Sequence, residues 1–206
     1  MSERDFFDDA AKGATAASVK LAEARTSAEV VVAVRQRSGH YGTLAYHFGL
    51  GLAAITVAYL LVVPTIYSPF AIALDGILAF LLGALLAANF DTLLRGLSRR
   101  RTLASNVSVA ARAAFFDLGI SRTTGRGGVL VYVSLFERSA VVLTDIGIDE
   151  GVLGATWRSA TLALEQAIKR RDLAAFLRAI EALGPSLGAA YPRSEDDVNE
   201  LLDEVQ

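Results

Sequence analysis

From Ser38 to Leu74 the chain carries no Lys, Arg, Asp or Glu, and this run restricts the fold more than any other feature. Within it, LAYHFGLGLAAITVAYLLVV (Leu44 to Val63) is long enough to cross ~30 Å of hydrocarbon at ~1.5 Å per helical residue. PTIYSP (Pro64 to Pro69) follows, and its two prolines stop a helix. FAIALDGILAFLLGALLAANF (Phe70 to Phe90) then repeats the apolar pattern. Two such runs in succession exceed what a chain of 206 residues buries as core helices, so a transmembrane helical hairpin is predicted over 44–90. Of the 20 basic and 22 acidic residues, Asp75 alone falls inside that segment, and the remainder has the charge density of an ordinary soluble domain. The apolar content of 53% excludes intrinsic disorder, and one pair of runs excludes a multi-pass transporter.

Basic residues orient the hairpin. Arg35 and Arg37 precede the first run, Arg95, Arg99, Arg100 and Arg101 follow the second, and the connecting loop has none. The positive-inside rule therefore places both flanks in the cytoplasm and the loop outside, with the lipid bilayer as the first partner. MSERDFFDDAAK has no apolar h-region, so no cleaved leader is expected at this end. Asp75 lies six residues after Pro69 and Tyr59 five before Pro64, which puts both at similar depth. A hydrogen bond between them, or a carboxyl reaching the interface, is expected there, since one carboxylate makes no proton relay.

The rest of the chain alternates helical and strand patterns. Ala11, Ala14, Ala17, Leu21 and Ala24 have helical spacing. AEVVVAVRQ is a Val-rich strand. Leu103, Val107, Ala110, Ala111, Ala114, Phe115 and Leu118 mark a helix closing at Gly119. GGVLVYVSL supplies a second strand (Val129 to Leu135), and FERS turns the chain into a third (Ala140 to Ile146). One final helix carries Leu153, Trp157, Leu164 and Ile168; the next carries Leu173, Phe176, Leu177, Ile180 and Leu183 and is expected to stop near Gly184-Pro185. The predicted class is α/β: a small, helix-covered, mostly parallel sheet, buried on both faces and interrupted by the hairpin. Its parts are 1–43 and 91–193, which together form one cytoplasmic domain, with 44–90 inserted and an acidic tail over 194–206.

TSAEVVVAV (Thr26 to Val34), AAFFDLGISRT (Ala113 to Thr123), GGVLVYVSLFERSAVVLTDIGI (Gly127 to Ile148) and the following Val152 and Trp157 resemble the TPM domain. The resemblance covers about 15–35 and 100–190. It implies a small α/β/α fold, in a family where some members are phosphatase-like or bind calcium and many are membrane-attached modules. The chain departs from the pattern in placing its hairpin inside the domain and in lacking an acidic Asp-Asp-x-Gly-Leu-type lead-in near the first helix.

The candidate chemistry is sparse. Without Cys there is no thiolate nucleophile or Cys-ligated metal, and a net charge of -2 offers no footprint for nucleic acid. His40 and His47 are the only histidines, His40 at the mouth of the first apolar run and His47 at its beginning, so no Ser–His–Asp set is available. Glu29 is expected to cap or ion-pair at the start of its strand, and Glu137 and Arg138 to serve the turn. Asp145 and Asp149 in TDIGIDEG follow the carboxyl end of a strand, where α/β sheets bind ligands, and are the candidate ligands of a hard cation, Ca²⁺ or Mg²⁺. Asp149 and Glu150 equally suit the amino terminus of a helix. Two functions follow as expectations. One is a membrane-anchored, non-catalytic interaction, structural or regulatory module, with a protein partner or a second copy of itself. The other is a TPM-type phosphatase or metal-dependent hydrolase at the inner membrane face.

Overall fold

The computed structural model describes residues 8–123 and 125–193, so the acidic segment 194–206 lies outside the described residues. β1 (Glu29–Arg35) pairs in parallel with β2 (Gly128–Ser134), which pairs antiparallel with β3 (Ser139–Thr144), in the order β1-β2-β3. α1 (Asp9–Glu23) precedes β1, and α2 (Gly42–Val62), α3 (Pro69–Asn89), α4 (Asp91–Leu97) and α5 (Arg100–Asp117) lie between β1 and β2. After β3 come α6 (Glu150–Arg170), α7 (Leu173–Glu181) and α8 (Leu183–Ala190). The class is mixed α/β with a small three-stranded sheet. The sheet is mixed rather than mostly parallel, because the link from Ser134 to Ser139 is too short for a crossover and closes with Arg138 in the left-handed region, φ 51°.

The chain forms two compact units, one made of 1–38 with 104–206, the other of 39–103. In the first, the α/β body, side chains of β1 and β2 alternate between two cores. Val30, Val32, Val129, Val131 and Val133 pack with α1, α6, α7 and α8, among them Trp157, Leu164, Phe176 and Ile180. Val31, Ala33, Leu130 and Tyr132 pack with Val107, Ala111 and Phe115 of α5. β2 is buried along its whole length, whereas β3 is half-buried throughout and forms an edge. At the other edge Glu23 shields β1, its carboxylate accepting the Val30 N–H at 2.6 Å.

Three local expectations shift. The buried face of α1 is Ala11, Thr15, Ser18, Val19 and Ala22, while Leu21 is 64% exposed. Thr15 and Ser18 can be buried because their hydroxyls donate to Ala11 O at 2.8 Å and Glu181 Oε1 at 2.8 Å. Gly184-Pro185 does not stop the last helix: α7 ends at Glu181, and the pair sits in the first turn of α8, where proline's missing N–H costs nothing. Gly154 breaks α6 with φ 73° and ψ -153°, a region essentially restricted to glycine.

In the second unit, α2 and α3 form an antiparallel hairpin. A Cβ added to Gly49 would lie 2.6 Å from Phe80 O, one on Gly83 2.9 Å from Gly49 Cα, and one on Gly76 3.0 Å from Val57 Cγ2. The missing side chains thus let the two backbones touch. Ser68 caps α3, accepting the Ala71 N–H at 3.2 Å, with Pro69 in the first turn. The large apolar side chains point outward, Ile55 and Leu61 at 68% and Leu85 at 61% exposure.

Candidate functional site

Direction decides which end of the sheet each candidate occupies. Thr144 pairs with Val129, and Asp145 N–H donates to Gly128 O at 2.9 Å, so the Asp145–Asp149 loop lies beside the amino end of β2. It is at the opposite end from the carboxyl termini of the parallel pair, where ligands of α/β sheets bind. The expectation that this loop follows a ligand-binding strand end is corrected by the antiparallel sense of β3.

Asp145 and Asp149 have separate tasks there. The buried Asp145 carboxylate faces Arg126, whose terminal guanidinium nitrogen donates to Oδ1 at 3.0 Å. Its Nε sits 2.7 Å from Oδ2, an ion-pair contact whose alignment falls short of a hydrogen bond. Oδ1 also accepts the Ile146 N–H at 2.8 Å. Arg126 is held for this role in the left-handed region, φ 52°, with its N–H donating to Thr123 O and its carbonyl accepting from Gly147. Gly147 is required at that contact, since a Cβ would lie 2.3 Å from Gly125 O. Asp149 is exposed and caps α6, accepting the Gly151 N–H at 2.8 Å, while its own N–H donates to the Tyr191 hydroxyl at 2.7 Å. Glu150 accepts from the Thr144 hydroxyl at 3.1 Å. Among the described residues no group of three or more His, Asp or Glu is arranged to hold a metal ion.

The carboxyl end of β1 and β2 holds a polar chain that the sequence did not reveal. Ser134 donates to Glu137 Oε2 in a short hydrogen bond, Ser38 N–H donates to Glu137 Oε1 at 2.9 Å, and the Ser38 hydroxyl donates to Ser134 Oγ at 2.8 Å. Tyr132 OH lies 3.0 Å from Ser38 Oγ and is left to donate to it. Tyr132, Ser134 and Glu137 are buried. Glu137 is therefore an internal acceptor and not a solvated turn charge. A serine beside a carboxylate is the beginning of a nucleophile–base pair, yet both serine protons are already committed, and the chain works as a brace between residue 38 and the β2–β3 turn. The Ser38–Ser134 separation of 96 positions hid it; the signal available was the change from Leu130 to Tyr132 and Ser134 along one face of β2.

Beside β3 an open groove of about 430 Å³ is lined by Ser139, Val141, Glu150, Trp157, Arg158 and Glu165 among others. Glu29 is buried at the start of β1, where Thr26 accepts the Ala28 N–H at 3.1 Å and donates to Tyr191 O at 2.8 Å. His40 and His47 are exposed, with His47 Nδ1 2.8 Å from Thr43 O.

No protein-family model and no curated protein matches the chain. Among solved structures, it is similar to the NMR structure of BA42 protein from the psychrophilic bacterium Bizionia argentinensis, with a TM-score of 0.57. At 18% identity over 97% of this chain and 94% of that one, the likeness concerns the fold alone.

Proposed function

We propose that this chain is a membrane-anchored cytoplasmic module of TPM type, acting through interaction, structure or regulation without catalysis, at a bacterial inner membrane. The observation that carries the reading is the pair of 21-residue helices α2 and α3, in whose apolar windows only 11% of residues are buried. Left in water, that exposed surface would far exceed the few hundred Å² a soluble monomer tolerates, whereas in lipid it is satisfied. A third stretch, Leu173–Ala190, is also long and apolar enough to span. Its Phe176, Ile180, Leu183 and Leu187 are instead built into the body's core, which supports two spans and both termini on one side.

The carboxylates support the non-catalytic half of the reading. Asp145 is held by Arg126, Asp149 caps a helix, and Glu137 is enclosed. A cation at Asp145 would have to displace the guanidinium. Reporter fusions at both ends and after Tyr67 test the topology: activity outside only for the Tyr67 fusion supports the proposal, and an externally active reporter at either end overturns it. Assay of the purified chain on a generic phosphomonoester with Ca²⁺ or Mg²⁺ tests the rest. No turnover is expected; turnover abolished by Asp145→Asn would establish the hydrolase instead.

A further inference from the structure

Asp75 and Tyr59 are both exposed on the surface of the hairpin, Tyr59 at 65%, and neither side chain has a hydrogen-bond or ion-pair partner among the described residues. The expected bond between them does not form within one hairpin. Each lies one residue before an inward-facing position, Leu60 in α2 and Gly76 in α3. In an antiparallel pair the same step along the sequence turns both residues onto the same face. Their levels also agree, because Gly76 packs against Val57, so Asp75 and Tyr59 stand on neighbouring helices at nearly one height.

This placement is costly in a bilayer unless something covers it. A 21-residue helix rises about 31 Å, close to the hydrocarbon thickness, so Asp75 lies about 9 Å inside from Pro69. The aspartate side chain is too short to reach back to the interface, unlike Lys or Arg. One hydroxyl donor and one carboxylate acceptor on one face are complementary to the same face turned by 180°. Rotation about the membrane normal sets α2 of each copy against α3 of the other, so Tyr59 of one copy meets Asp75 of the second, twice. The surrounding positions on that face, Ile55 four residues before Tyr59 and Leu82 and Leu86 seven and eleven after Asp75, are apolar and open. They offer plain packing around the polar pairs.

We infer that the hairpin face carrying Tyr59 and Asp75 is a two-fold dimer interface within the membrane, closed by reciprocal Tyr59–Asp75 hydrogen bonds between two copies of the chain. The inference rests on the membrane reading above. Its test uses the full chain reconstituted in lipid vesicles, with energy transfer between donor- and acceptor-labelled copies followed as lipid is diluted in. Energy transfer that falls on dilution marks the parent dimer. Tyr59→Phe and Asp75→Leu should each weaken it roughly tenfold, with the double variant no weaker than either alone, since all three lose the same bonds. The chain has no Cys, so cysteines introduced in separate copies report the face directly: copies bearing Ile55→Cys mixed with copies bearing Ala79→Cys, four residues past Asp75 and at the level of Ile55, should form a disulfide dimer, and Ile77→Cys, one residue past Gly76 on the opposite face, should not. A chain that enters vesicles but stays monomeric, or a dimer indifferent to Tyr59→Phe and Asp75→Leu, or cross-linking through Ile77→Cys, overturns the dimer and leaves the membrane reading standing. A chain that does not enter vesicles overturns both.

Discussion

The α/β body and the α2–α3 hairpin use the same apolar residue types with opposite exposure. In the body, Val129, Leu164 and Phe176 are fully buried. In the hairpin, glycines and alanines take the inside, Gly49, Gly76, Gly83 and Ala87, while Leu, Ile and Phe cover the outside. In water the hydrophobic effect drives large side chains inward. Where the surroundings are themselves apolar that drive is absent, and close backbone packing by small residues decides which face turns in. On the proposed reading, water suits the first arrangement and lipid the second.

The strongest way to break this comparison is to separate the two units. Replacing residues 39–103 by a Gly/Ser linker of ~10 residues should leave a soluble body that melts cooperatively, because loop-closure entropy changes by only ~0.6 kcal/mol per doubling. Expressing 98–206 alone removes β1 and exposes one edge of β2, so an aggregated or molten product is expected by calorimetry and light scattering. A monomeric 98–206 with a sharp transition would show that β1 is dispensable.

Smaller changes sharpen the contrast. Phe176→Ala in the body should cost about 3–5 kcal/mol in denaturant unfolding of the linker-joined body. Leu85→Ala, on the outside of the hairpin, should leave the body of the full chain within about 0.5 kcal/mol in detergent. Equal effects would contradict the division into two units. Arg126→Ala strands the buried Asp145 carboxylate. With Arg126 itself half-exposed, a loss of about 1–3 kcal/mol is expected, and Ca²⁺ should leave the melting temperature of the parent unchanged. A rise with Ca²⁺ that Asp145→Asn abolishes would restore the cation site. Last, Asp149→Ala removes the α6 cap at a cost of about 1 kcal/mol, without effect on the hairpin.

What could be read from the sequence follows how much contrast each segment carries. The strands of the sheet and the α5 face were legible, because Val-rich runs and Val107, Ala111 and Phe115 stand out against charged neighbours. The face of α1 was not: alanines occur all round it, and Thr15 and Ser18 turn inward only through hydrogen bonds made elsewhere. Asp145 and Asp149 were visible as residues, yet their position depends on which way β3 runs relative to β2. Their partners Arg126 and Tyr191 lie 19 and 42 positions away. The brace through Ser38 joins residues on either side of the hairpin, a proximity created by the parallel pairing of β1 with β2.

Passage of one apolar hairpin across a bilayer from within a single α/β body is tested most directly by cysteine labelling of the intact chain, which has no cysteine of its own. Single Tyr67→Cys and Lys12→Cys variants are treated with a membrane-impermeant maleimide in intact cells and again after permeabilisation. Tyr67→Cys is expected to label in intact cells, and Lys12→Cys only once the membrane is opened. Labelling of Lys12→Cys in intact cells, or protection of Tyr67→Cys until permeabilisation, would contradict that passage.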